Sequence, residues 1–100
     1  MKTTFKEEEG NYVMYFEGRL DTAAASQVAE EVKPLYDCAG HNIILDCSKL
    51  EYISSSGLRI FLSVLKNAKL TNSTVSIRAL SAELRNVFAI TGFTSLFQFI

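Results

Sequence analysis

The sequence predicts an α/β fold: a single mixed β-sheet packed by helices, with elements in the order β-β-α-β-α-β-α-β. Three observations carry this reading. Two alternating segments flank a glycine turn near the amino terminus. A short continuous apolar run, 42–46, has the character of a strand covered on both faces. From that run to Leu80 the chain reads strand, helix, strand, a unit whose strands should be parallel with a right-handed crossover. One hundred residues make one domain, residues 1–100, and an apolar share of 48% is enough for a core.

Each element follows from local pattern. Thr3 to Glu9 and Asn11 to Glu17 read as the strands of a hairpin. Tyr12, Met14 and Phe16 alternate with Val13, Tyr15 and Glu17, and Gly10-Asn11 suits a tight turn. Gly18 to Thr22 breaks the alternation. Asp21 or Thr22 is placed to cap a helix with Val28, Val32, Leu35 and Tyr36 on one face. Pro34 should end or kink that helix near Lys33. After the apolar run, Ser48 to Ile53 leads to a serine cluster. Leu58 to Lys69 is helical, with Leu58, Phe61, Leu62, Leu65 and Ala68 at helical spacing. Thr74 to Leu80 alternates through Val75, Ile77 and Ala79 as a strand. Ser81 can cap a third helix bearing Leu84, Val87, Phe88 and Thr91, with Gly92 at its C′ position. Phe93 to Ile100 is an apolar segment, read as core and a short edge strand.

Composition excludes several function classes. The net charge is −1 and the lysines and arginines are scattered, so no basic stripe offers itself to nucleic acid. No apolar run is long enough for a membrane span. Met1 to Lys6 runs straight into charged residues with no apolar h-region, which points to the cytoplasm. Glu7-Glu8-Glu9 reads as a solvated strand end. Cys38 and Cys47 form no C-x-x-C pair, and His41 alone cannot complete a four-ligand zinc site with them, so neither metal nor cofactor is expected. Cys47 reads as a small core residue and Cys38 as partly exposed in its loop.

The most informative stretch is Ser54-Ser55-Ser56-Gly57, at the amino end of the second helix. Backbone N–H groups there lack partners and the helix dipole favours negative charge. A serine in that place can cap, attack as a nucleophile or accept a phosphate. Hydrolysis is disfavoured: the G-x-S-x-G elbow is absent, and His41, the one imidazole, falls at the opposite end of the preceding strand. Neither G-x-x-x-x-G-K-[ST] nor G-x-G-x-x-G occurs. The bland alternative, one serine capping and the others filling the loop, stays open. Loops at the carboxyl ends of parallel strands gather on one edge, where ligands and partners bind. If the second hairpin strand runs parallel to 42–46, Gly18 to Thr22 shares that edge and Asp21 sits near the serines.

Three segments together resemble a known family: Gly18-x-Leu20-Asp21-Thr22-Ala23, then Ile44 to Leu58 with its serine cluster, then Thr91-Gly92-Phe93-x-x-Leu96-Phe97. The chain is similar to STAS domains, and more narrowly to stand-alone bacterial anti-sigma factor antagonists. The resemblance implies a regulatory binding module that is not an enzyme. It would bind an anti-sigma factor that is also a GHKL-type serine kinase, freeing a sigma factor. The kinase would phosphorylate the serine before the glycine, Ser56, with Ser55 the alternative acceptor. A PP2C-type phosphatase would restore the active form. The partner-binding surface would comprise Asp21, Thr22, Ser54, Ser55, Gly57, Leu58 and Arg59, in a monomer or weak dimer. One position departs from the family: Ser54 stands where members commonly carry Asp. The runner-up is a STAS module of a transporter or lipid-trafficking complex, never phosphorylated.

Overall fold

Glu9 and Gly10 both take positive φ, 51° and 82°, the combination a two-residue type I′ turn requires. The turn closes a hairpin between β1 (Lys2–Glu8) and β2 (Asn11–Leu20), paired antiparallel from Glu8↔Asn11 to Lys2↔Glu17. A computed structural model describes residues 1–38 and 40–100 of the chain. After the hairpin come α1 (Thr22–Glu31), a 3₁₀ turn (Lys33–Asp37), β3 (Asn42–Ile53), α2 (Ser55–Leu70), β4 (Thr74–Arg78), α3 (Ala82–Ile90) and the two-residue β5 (Gln98–Phe99). The five strands make one sheet in the order β1-β2-β3-β4-β5. Only the β1–β2 pair is antiparallel; β2–β3, β3–β4 and β4–β5 are parallel. The predicted mixed sheet and its parallel β3–α2–β4 unit are therefore present.

Several boundaries differ from the sequence reading, each for a physical reason. β2 does not stop at Glu17, and β3 does not stop at Asp46. The two strands continue together, Glu17↔Lys49 through Leu20↔Ile53, because β3 inserts an extra residue against β2 at two register shifts. Each bulge breaks the period-two pattern, so the buried residues Cys47, Leu50 and Ile53 fall at intervals of three. β4 stops at Arg78, since Ala79 takes φ 58° and leaves the strand conformation. The α1 helix ends at Glu31 with Val32 as C-cap, two residues before Lys33, and Pro34 opens the 3₁₀ turn that carries Leu35. Cys38 is buried rather than partly exposed; its thiol donates to the Pro34 carbonyl at 3.4 Å.

One face of the sheet holds the core. Met14 and Phe16 of β2, Ile43, Leu45 and Cys47 of β3, and Val75 and Ile77 of β4 pack with Val28, Val32, Phe61, Val64, Leu65, Leu84 and Phe88. A run of aromatic contacts ties the elements: Phe16 to Phe61 at 5.0 Å, Phe61 to Phe88 at 6.2 Å, Phe88 to Phe97 and to Phe99 at 6.0 Å each. Such pairs add about 0.5–1.5 kcal/mol each beyond area burial. They fasten the carboxyl-terminal segment, with Phe97 buried, against α3 and α2. None of the described helices is long and apolar enough to cross a membrane.

Candidate functional site: two helix starts on adjacent strand ends

Because β2 and β3 lengthen in step, they end side by side. Leu20 is the register partner of Ile53, and the Ser54 N–H donates to the Leu20 carbonyl at 2.8 Å. Each strand then turns directly into a helix. Asp21 is the N-cap of α1, its Oδ1 accepting from the Ala24 N–H at 2.9 Å. Ser54 is the N-cap of α2, its Oγ accepting from the Gly57 N–H at 3.1 Å. The parallel pairing thus brings Asp21 and the serine cluster to one edge, as the sequence anticipated.

The three serines are not equivalent. Ser54 is buried and committed to the cap. Ser55 is exposed and Ser56 half-buried in the first turn, and no hydrogen bond among the described residues engages either hydroxyl. Their backbone N–H groups belong to the unpaired set at a helix start. The first turn of α2 carries no acidic residue, while Lys69 sits in the last turn. No side chain of that turn offsets the positive partial charge of the amino end, which suits an added anion.

Gly57 holds this geometry. A Cβ on it would lie 2.7 Å from Leu20 Cγ and 2.9 Å from Ile53 Cγ1, closer than carbon atoms approach. Only a glycine lets the helix start settle onto the two strand ends. Leu58, 3% exposed, anchors the same turn in the core. The sequence-based placement of Gly57 and Leu58 on a partner-binding surface is corrected accordingly: both are buried and position the serines from beneath. Ser54 moves from that surface to the cap for the same reason. Thr22, Ser55 and Arg59 are exposed, and Asp21 and Ser56 half-buried, at the same edge. His41, ahead of β3, is at the far end of the strand, where its ring meets Tyr12 edge-on at 5.0 Å.

Two residues at this edge escaped the sequence reading. Arg19 and Tyr52 are register partners just before the strand ends, both exposed, with the guanidinium 4.4 Å from the ring centroid. Leu20 and Ile53 point into the core, so their neighbours Arg19 and Tyr52 point to the opposite face. Arg19 falls where the alternation breaks and Tyr52 in the segment leading to the serines, and the local pattern gives neither a strand position because the bulges interrupt it.

A second polar cluster lies on that outer face. Arg78 Nε donates to Asp46 Oδ2 at 2.7 Å, and its Nη2 reaches the Tyr15 hydroxyl at 3.2 Å and Glu8 Oε1 at 3.7 Å. Tyr15 donates to Glu8, and Ser48 donates to Asp46 through its hydroxyl at 2.6 Å and its N–H at 3.0 Å. Glu8, read from sequence as a solvated strand end, is part of this network. Burial pushes the Asp46 carboxyl up, but the Ser48 hydrogen bonds and the Arg78 guanidinium outweigh it and hold the group below its ordinary value. The network links β1, β2, β3 and β4. Both cysteines are free and buried, and burial pushes both thiols up, away from the reactive thiolate.

The mixed sheet with its three helices has counterparts among known proteins. The STAS domain family model matches residues 2–100, and the chain belongs to that family. It is 33% identical, over 97% of its own length and 84% of the relative's, to a Bordetella bronchiseptica protein provisionally named anti-sigma factor antagonist BtrV. A STAS domain protein from Planctomyces limnophilus superposes with a TM-score of 0.89 at 16% identity, covering 98% of this chain and 87% of that one. The anti-sigma factor antagonist SpoIIAA in its unphosphorylated form gives 0.80 at 18% identity, covering 99% and 88%. The Bacillus SpoIIAA in its phosphorylated form gives 0.73 at 19% identity, covering 99% and 91%.

Proposed function

We propose that the protein is a cytoplasmic anti-sigma factor antagonist, a regulatory binding module rather than an enzyme. It binds an anti-sigma factor that is also a GHKL-type serine kinase and so frees a sigma factor. Phosphorylation of Ser56 separates the pair, and a PP2C-type phosphatase reverses it. The observation that carries this reading is the division of labour in the serine cluster. Ser54 is consumed by the cap, which leaves Ser55 and Ser56 uncommitted on a helix whose own first turn holds no carboxylate. The BtrV name and the two phosphorylation states of SpoIIAA support the same reading.

The energetics suit a switch. A phosphate adds about −1.5 to −2 charges. At the amino end of α2 it meets the helix dipole and unpaired N–H groups, so the fold tolerates it. Against a partner surface built for a neutral serine, the same charge must be desolvated. A penalty of about 1.4 kcal/mol weakens the complex tenfold, so a small clash separates the partners without unfolding either. Exposed Thr22, Ser55 and Arg59 at the two helix starts, with Arg19 and Tyr52 on the adjoining strand ends, would supply the contact surface.

The test is to incubate the protein with its cognate anti-sigma kinase and ATP and to map the phosphate by mass spectrometry. Phosphate on Ser56, abolished in Ser56→Ala, is the expected result. Phosphate confined to Ser55 would overturn the assignment. Absence of phosphate with stable binding to the kinase would favour a non-phosphorylated module.

A further inference from the structure

We propose that the β1 edge is a homodimer interface, on which a second copy of the chain pairs antiparallel about Phe5 to make a continuous ten-stranded sheet. β1 is an outer strand of seven residues, whereas the other outer strand, β5, has two. The type I′ turn makes Glu8↔Asn11 a hydrogen-bonded pair. In an antiparallel ladder such pairs alternate. Lys2, Thr4, Lys6 and Glu8 therefore direct their backbone groups to β2, and Thr3, Phe5 and Glu7 direct theirs outward. A partner strand must match outward residues to outward residues.

Three antiparallel registers satisfy that rule with substantial overlap, and charge separates them. Placing Thr3 opposite Phe5 sets Lys2 opposite Lys6 twice. Placing Phe5 opposite Glu7 sets Lys6 opposite Lys6. Placing Phe5 opposite Phe5 gives Lys2 opposite Glu8 twice, Thr3 opposite Glu7 twice and Thr4 opposite Lys6 twice. That last register overlaps all seven residues and opposes no like charges, which are destabilising when directly opposite. It also buries an exposed aromatic. Phe5 is 40% exposed and stacks on Tyr12 at 5.8 Å, so the two-fold axis would join two such stacks.

The pairing is compatible with function. Its two-fold axis crosses the sheet perpendicularly, so the two Ser54–Gly57 turns lie at opposite ends of the ten strands and neither is covered. The contact is small beside standard interfaces, which makes the dimer weak and concentration-dependent.

Sedimentation equilibrium of the full chain from micromolar to millimolar concentration should show the mass rising toward twice the monomer. A monomer throughout overturns the proposal. Glu7→Pro removes an outward N–H while leaving the β1–β2 ladder intact, a substitution that sheet edges tolerate. It should raise the dimer dissociation constant about tenfold or more, since two hydrogen bonds are lost by symmetry. An unchanged constant in a folded Glu7→Pro variant overturns the edge assignment. Oxidative cross-linking reads the register independently. Phe5→Cys would place two Cα atoms about 5.5 Å apart across the axis, within disulfide reach. Thr3→Cys would hold its pair about 14–15 Å apart, four residues along the strand and one strand across. Rapid cross-linking of Phe5→Cys alone supports the proposal, and equal or faster cross-linking of Thr3→Cys overturns it. Cys38 and Cys47 are buried and do not compete.

Discussion

Ser54 shows how one substitution can keep a structural role while changing an electrostatic one. STAS antagonists of the kind this chain resembles commonly carry Asp at this position. Serine and aspartate are near-equal N-caps, and the Ser54 hydroxyl makes the cap bond to the Gly57 N–H at 3.1 Å. The cap survives, but no carboxylate stands at that position beside Ser55 and Ser56. Ser54→Ala should therefore cost about 1 kcal/mol, a fall of about 4–8 °C in Tm for a domain of this size, whereas Ser54→Asp should leave the melting curve nearly unchanged. The charge difference emerges only after modification. A phosphate on Ser56 in the wild type faces an uncompensated helix start and should raise stability by about 0.3–1 kcal/mol. In Ser54→Asp the cap carboxylate repels it and the gain should shrink or vanish. Thermal melts of the four species, measured at low salt because screening weakens the effect, decide the point. An equal phosphate effect in both backgrounds would show that the cap charge does not reach the acceptor.

At the scale of elements, the site depends on two strands ending together. β2 and β3 reach Leu20 and Ile53 only because β3 carries two bulges, and Gly57 then lets α2 seat on both ends. Gly57→Ala gains about 1 kcal/mol of helix propensity but forces a methyl into Leu20 and Ile53, an overpacking cost of about 1–3 kcal/mol. The net expectation is a modest destabilisation with a displaced first turn. If Ser56 is the acceptor proposed above, its phosphorylation should fall by more than the lost stability accounts for, which kinase assays on the folded variant would reveal. Wild-type rates would sink the positioning role of Gly57. The helices, both hairpin strands and the caps Asp21 and Ser81 are local features, so spacing and residue type make them legible in the sequence; which of three adjacent serines caps α2 is not, since each hydroxyl suits that place. The bulged halves of β2 and β3 are not, because pairing with a distant strand overrides the local pattern. For that reason the pairing of Arg19 with Tyr52, which sit on those halves, has no local signal in the sequence.

The whole molecule is a sheet fastened differently on its two faces. On one face apolar burial and the run of phenylalanines hold the helices. On the other, Arg78 gathers Asp46, Tyr15 and Glu8 from three neighbouring strands. Sequence shows Asp46 only as the end of an apolar run and Arg78 only as one of ten scattered cations; their meeting needs β3 and β4 in register, Asp46↔Arg78. This network makes stability depend on acid. The Asp46 carboxyl is held below its ordinary value in the folded state. The unfolded chain therefore takes up the proton first as pH falls. The contribution of Asp46 is complete above about pH 4, the ordinary carboxyl range, and is lost as pH drops through the folded-state value. Asp46→Asn should destabilise the protein by about 1–3 kcal/mol at neutral pH, since Arg78 loses its charged acceptor. It should also flatten the fall of stability with acid, so that wild type and variant converge toward pH 2. Urea denaturation across that range measures both quantities. A variant whose deficit stays constant down to acid pH would mean that the Asp46 charge contributes nothing and that the loss is one of packing alone.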